Sequence, residues 1–278
     1  MSEPAAPKPV SNLVVRLLTA VVAAPAILYL LFAAPPWGFQ VLVMAAVAVA
    51  AYELFGMTMG KDRVLEAYGV LASLAVATVL LYFPSPPILV ATFALLPMAG
   101  LLFSLVRPDP IDRADRRMAW MIAGPLYVGL LATIGRLHMR DNGGGWVVLT
   151  MMLAWFGDTG GYFAGRAFGK HKLYEKVSPK KTIEGSFGGL AGSVLGALVA
   201  HYWYLQALPL IGGIALALVA GALGQAGDLC ESLIKRSAGV KDSGFIVPGH
   251  GGLLDRVDAL VFTSAATWLY ATLILDAR

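Results

Sequence analysis

The sequence predicts an all-α fold, a polytopic helical bundle in a membrane with about nine transmembrane helices and a cytoplasmic N-terminus. Three observations predict it. The chain is 58% hydrophobic and only 14% charged, with a mean hydropathy of +0.72, so a soluble domain built from it would lack the polar groups to cover its surface. Its apolar residues fall into runs of roughly 20, the length that crosses a hydrocarbon core about 30 Å thick. The basic residues between the runs alternate as the positive-inside rule requires.

Taken in order, a polar, proline-rich tail over 1–12 leads into apolar runs at 13–33, 39–57, 64–83, 88–106 and 118–135, then 146–164, 187–204, 208–227 and 257–275. No small-residue cleavage pattern ends the first run, so it is expected as a retained span and not a removed signal. Breakers fall between the runs: Pro35, Pro36 and Gly38, then Pro84, Pro86 and Pro87, then Asn142 to Gly145. The chain therefore reads as a single integral domain, 1–278, with N-terminal helices over 13–140 and the chemistry over 146–278. All but three of the 21 lysines and arginines share the face of the N-terminus, and Arg136, Arg140 and Arg278 lie opposite. That places the loops 165–185 and 230–256 on the cytoplasmic side. The net charge of +4 then serves orientation and phosphate binding, not nucleic acid. One cysteine, Cys230, excludes an intrachain disulfide.

Small residues recur every fourth position in the later runs, at Gly157, Gly161, Gly165 and Gly169, then Gly188, Gly192 and Gly196, then Gly213, Ala217 and Gly221. Such stripes let helix backbones approach closely in lipid. The first expectation is packing within the chain, and a homodimer seam is a second use of the same faces.

The polar chemistry gathers in the two cytoplasmic loops. At the end of the eighth run Asp228, Glu231, Ser232 and Lys235 share one helical face, and Asp255 and Asp258 do the same at the start of the ninth. Two helices side by side would bring Asp228, Asp255 and Asp258 together as an oxygen-ligand site for Mg²⁺. Acids near a helix N-terminus are ordinarily stabilised by its dipole, which would suffice for Asp255. Asp228 lies at the opposite, unfavourable end of its helix and calls for a cation. Asp158 lies within the sixth run, roughly 10 Å from its cytoplasmic end by helical rise, and an acid at that depth is a functional candidate with a paired structural acid as the bland alternative.

The cations complement the acids. Lys170, Lys172, Lys180 and Lys181 surround the turn-forming Ser178 and Pro179, while Lys235, Arg236 and Lys241 share a loop with carboxylates and a glycine turn that includes Gly251 and Gly252. Cations, acids and exposed amides together suit a triphosphate with its metal. His250, between two glycines, is free to approach a ligand or simply to be solvated. The stretch from Gly161 to Lys170 is not a Walker A loop, because its glycine spacing is one residue short and no Ser or Thr follows the lysine.

Ser232, Lys235-Arg236, Lys241-Asp242, Pro248-x-His250-Gly251-Gly252 and Asp255-Arg256-x-Asp258 make a spaced pattern, and upstream stand Asp158-Thr159, Gly165-Arg166, Gly169-Lys170 and Ser178-Pro179-Lys180-Lys181-Thr182. On these residues the C-terminal half resembles the phosphatidate cytidylyltransferases, or CDP-diacylglycerol synthases. The one departure is Val247, where a larger aliphatic residue is usual. The first five runs resemble the family only in hydropathy. The resemblance implies condensation of CTP with phosphatidic acid to CDP-diacylglycerol and pyrophosphate, at the cytoplasmic face of a bacterial inner membrane. It implies Mg²⁺, with a second, monovalent cation such as K⁺. It assigns catalysis to Asp228, Asp255, Asp258, Lys235, Arg236, Lys241 and His250, with the three aspartates on the metal. Binding falls to Asp158, Lys170, Ser178, Lys180, Lys181, Ser232, Gly251, Gly252 and Arg256.

Two rivals remain at this level. A CTP-dependent polyprenol kinase would move the terminal phosphoryl group instead. A transporter of anionic solutes would use Asp158 as a coupling acid, but alternating access needs polar groups on both faces and here they crowd one.

Overall fold

The computed structural model describes residues 12–60, 62–246 and 251–276, with side chains from residue 21 onward. The tail 1–11 lies outside the described residues. The chain folds into ten α-helices and one β-hairpin among the described residues: α1 Asn12–Phe32, α2 Pro36–Thr58, α3 Arg63–Tyr82, α4 Pro86–Val106, α5 Ala114–Gly129, α6 Ala132–His138 and α7 Gly143–Phe168, then β1 Lys172–Tyr174 and β2 Ser178–Thr182, then α8 Ile183–Trp203, α9 Leu210–Ser237 and α10 Leu254–Tyr270. The protein is a polytopic helical membrane protein. Among the described residues seven helical segments combine the length and apolarity to cross a bilayer, formed by α2, α3, α4, α5 with α6, α8, α9 and α10. α1 and α7 occupy the two other predicted runs.

Local chemistry explains the boundaries. α2 and α4 begin on prolines, whose missing N–H costs nothing in a first turn. Asp62 caps α3 by accepting from the amides of Val64 and Leu65, and Thr182 caps α8 by accepting from Gly185.

Two expectations change in detail. The run at 118–135 forms two helices, because Leu131 bonds back to Val128 and Thr133 to Leu130, a tighter spacing that breaks the α-helical ladder between α5 and α6. The loop at 165–185, read as a turn around Ser178 and Pro179, instead contains an antiparallel hairpin with Lys172 opposite Thr182 and Tyr174 opposite Ser178. Glu184 holds this hairpin to α8, accepting from the amides of Lys170 and His171 and pairing with the His171 ring at 2.6 Å.

The glycine stripes serve packing within the chain. A methyl group at Gly160 would collide with the carbonyl of Gly188, and one at Gly192 with the carbonyl of Phe156, so α7 and α8 touch backbone to backbone. α9 joins them where Gly221 faces Ser193, whose hydroxyl donates to Leu153 O on α7 at 2.7 Å. In the N-terminal half the fully buried Phe55 of α2 fills the space left by Gly69 on α3 and Gly124 on α5. α4 buries only Leu96, Gly100 and Ser104 and turns Val90, Phe93, Leu95 and Leu102 outward, the pattern of a helix bathed in lipid.

Candidate active site

The close pairing of α7 with α8 leaves a cavity of about 420 Å³ between these helices, the hairpin and α9. Acids enter it from the helices, Asp158 from α7 and Asp228 from α9, and cations enter from the rim, Arg166 at the end of α7 with Lys180 and Lys181 on β2. The Lys181 ammonium lies 2.7 Å from Asp228 Oδ2, and the Ser232 hydroxyl is 3.4 Å from Oδ1. Asp158 is open to the cavity, where Lys181 and Arg256 attract it and Asp228 repels it. Asp258, one helix away, is repelled by both Asp228 and Asp158, and its Oδ1 accepts from the Ala259 amide at 2.7 Å. Asp158 and Asp228 thus line the cavity, and Asp258 acts on them from outside its lining. On the opposite wall the Ser186 hydroxyl donates to Gln225 Oε1, and Gln225 Nε2 donates back to Ser186 O at 3.0 Å.

A second polar centre lies where α9 meets α10. Lys235 Nζ sits between Glu231 Oε2 at 2.5 Å and Asp255 Oδ1 at 2.6 Å. Glu231 is fully buried and its Oε1 has no hydrogen-bond partner. The second oxygen of Asp255 accepts from the Ser243 amide at 2.9 Å, the Ser243 hydroxyl at 3.0 Å and the Gly252 amide at 3.0 Å. Gly251 has φ +85°, a left-handed conformation that favours glycine. Gly252 packs so closely on Ser243 that a side chain there would overlap its hydroxyl.

The expected aspartate trio is therefore not gathered at one point. Asp255 turns toward Lys235 and Ser243, while the acids that act on one another across the cavity wall are Asp158, Asp228 and Asp258. Among the described residues no three Asp, Glu, His or Cys side chains are close enough to hold a metal as they stand. Lys180, Lys181 and Ser232 join the cavity centre, and Gly251, Gly252 and Lys235 join the second. Arg236 is exposed in the last turn of α9 and donates to Val240 O at 3.4 Å, and Lys241 is exposed in the loop beyond it. Lys170 is exposed beside the hairpin and Ser178 stands in β2. His250 lies outside the described residues, and Cys230 is exposed.

Sequence reasoning missed Glu53 of α2, which is 4% exposed. Its Oε1 accepts from the Leu253 amide at 3.0 Å, and its Oε2 accepts from the Leu254 amide at 2.8 Å and the Ser243 hydroxyl at 3.1 Å. The signal was present, since Glu53 is the one charged residue in the run 39–57 and the argument applied to Asp158 applies to it equally. Gln225, Ser186 and Tyr162 were also missed, being uncharged and unremarked by spacing.

The profile of the cytidylyltransferase family matches residues 14–274. A phosphatidate cytidylyltransferase of Brucella suis is 34% identical over 269 residues, 96% of each chain. One of Staphylococcus epidermidis is 42% identical over 147 residues, 52% of this chain and 55% of the relative, so that match spans about half the relative's length. One of Synechocystis is 45% identical over 130 residues, 46% of this chain and 43% of the relative.

Proposed function

The chain belongs to the cytidylyltransferase family, and from that premise we propose that it is a phosphatidate cytidylyltransferase, condensing CTP with phosphatidic acid to CDP-diacylglycerol and pyrophosphate. One observation carries the reading beyond kinship: a cavity among membrane helices has lysines and an arginine at its rim and carboxylates on its wall, with Lys181 and Asp228 already paired across it. That is the charge pattern a nucleotide with a divalent cation requires, and no second cavity is needed to bring the lipid alongside.

The chemistry of the donors, carboxylate oxygens alone, suits Mg²⁺, and the Lys181 ammonium stands on Asp228 where a cation is wanted, although the acids must move together to hold the ion. Asp228, Asp258 and Asp158 would hold the ion, with a monovalent cation such as K⁺ as part of the same proposal. Bound there, Mg²⁺ would draw charge from the nucleotide phosphates and the departing pyrophosphate.

The chain's own residues do the rest. Arg166, Lys180 and Lys181 neutralise the gathered phosphates and hold lipid and nucleotide in line. An oxygen of the lipid phosphate bonds to the α-phosphorus of CTP as the bond from that phosphorus to the β-bridging oxygen breaks, and the electron pair leaves with pyrophosphate. The nucleophile is already anionic, so no side chain need remove a proton. Asp255 serves by fixing Lys235 and the glycine turn. The active site faces the cytoplasm of a bacterial inner membrane in this reading. The stripes of α7 and α8 are used on each other, so a homodimer would form through other faces.

Purified protein in detergent, given labelled CTP, Mg²⁺ and phosphatidic acid, is expected to form a lipid-soluble cytidine product and release pyrophosphate. Release of CDP with a newly phosphorylated lipid would instead establish the kinase chemistry, and no lipid product would overturn the proposal.

A further inference from the structure

The geometry points to Glu53 as a positioning residue for the reaction, through which the second membrane helix sets the loop between α9 and α10 in its CTP-binding conformation. The inference rests on the cytidylyl-transfer reading. Glu53 is a buried carboxylate with no lysine or arginine bonded to it among the described residues. Its three partners among these residues lie 190 to 201 residues away, and they belong to the two ends of one loop. At one end it accepts from the Ser243 hydroxyl. At the other it accepts from the amides of Leu253 and Leu254, where α10 begins and its N–H groups lack helical partners.

Ser243 joins this arrangement to the second polar centre. Its hydroxyl lies 3.1 Å from Glu53 Oε2 and 3.0 Å from Asp255 Oδ2, and its amide donates to the same Asp255 oxygen. Asp255 in turn holds Lys235 and the Gly252 amide. Close fit enforces the register. A methyl group on Gly244 would come within 2.5 Å of Glu53 Oε1, and one on Gly252 within 2.7 Å of Oε2. Nothing larger than the native glycines permits the carboxylate to reach both ends. A stability role alone would not require the acid to bridge them. Bridging them fixes where the glycine turn at Gly251 and the Lys235 ammonium stand when phosphates arrive.

A Gln at this position keeps the size of the side chain but offers one acceptor oxygen, and its amide would face a donor. Glu53→Gln is therefore expected to raise KM for CTP about tenfold or more, the effect of one or two lost buried hydrogen bonds. KM for phosphatidic acid should stay within about twofold. Ser243→Ala, which leaves Glu53 on the α10 amides, is expected to raise KM for CTP by a smaller factor, roughly threefold. Glu66→Gln, at a buried acid of α3 paired with Arg63 and not with the loop, should leave both constants unchanged. Loss of folded enzyme lowers the maximal rate without moving KM, so the split separates positioning from mere support. KM for CTP unchanged in Glu53→Gln overturns the inference even if the rate falls. If that variant does not fold, an unchanged KM in Ser243→Ala overturns it alone. Wild-type protein that forms no cytidine lipid overturns the functional reading and this inference together, whereas an active wild type matched by Glu53→Gln overturns only the inference.

Discussion

Asp228 and Asp255 differ in how their oxygens are used, and their asparagine variants should differ accordingly. Asp228 faces the cavity with a lysine on one oxygen and a weak hydroxyl contact on the other. Asp228→Asn should keep the unfolding temperature and lose at least about a hundredfold in cytidylyl transfer, consistent with removal of a ligand to the metal. Asp255 makes four contacts that hold Lys235 and both ends of the loop. Asp255→Asn should lose activity and also about 1–3 kcal/mol of stability, because an amide cannot accept from all these donors and Lys235 keeps only Glu231. Thermal unfolding in detergent beside a CTP-incorporation assay reads both. Away from the site, Arg140 holds the Asp276 carboxyl below its ordinary range through two hydrogen bonds of 2.7 and 2.6 Å. A depressed acid stabilises the fold above its unfolded pKa and loses that contribution as pH falls through the folded value. The pair is half-exposed, so Asp276→Asn should cost only about 0.2–1 kcal/mol at pH 7, and the gap to wild type should close below roughly pH 4.

Among the elements, the α7–α8 pair is the least tolerant of added volume. Gly160→Val or Gly192→Val sets a side chain against a carbonyl oxygen of the facing helix, with no flexible atom to yield. Either is expected to cost more than the 1–3 kcal/mol usual for overpacking and to lower detergent unfolding temperature and activity together. This contact was legible because small residues at four-residue spacing mean close helices in lipid. The hairpin was not legible. Its strands are three and five residues long, rich in lysine and carrying Pro179, so local preference does not announce them. They form because Glu184 gathers the amides of Lys170 and His171 from beyond the strand end. The break between α5 and α6 was hidden for the opposite reason, since hydropathy reads an apolar run as continuous whether or not its ladder is.

For the whole molecule, hydropathy carried most of the fold, and the spaced polar residues of the C-terminal half carried the family. What they could not carry was pairing over long separations. Sequence adjacency put Asp255 beside Asp258 on one helix turn, yet tertiary contacts send Asp255 to Lys235 and Ser243 while Asp258 faces Asp228 and Asp158. The first five runs looked like hydrophobic scaffolding, although α2 supplies the carboxylate under the loop.

That carboxylate sets an order of events during synthesis. Glu53 leaves the ribosome some 200 residues before the amides it will receive. Every nascent chain shorter than the last helix thus carries the basic rim, Asp158 and Asp228, but lacks Asp255, Asp258 and the amides that Glu53 receives. A partly translated protein would sit in the bilayer catalytically silent, and nucleotide turnover would begin only when the final span closes the ring back onto the second.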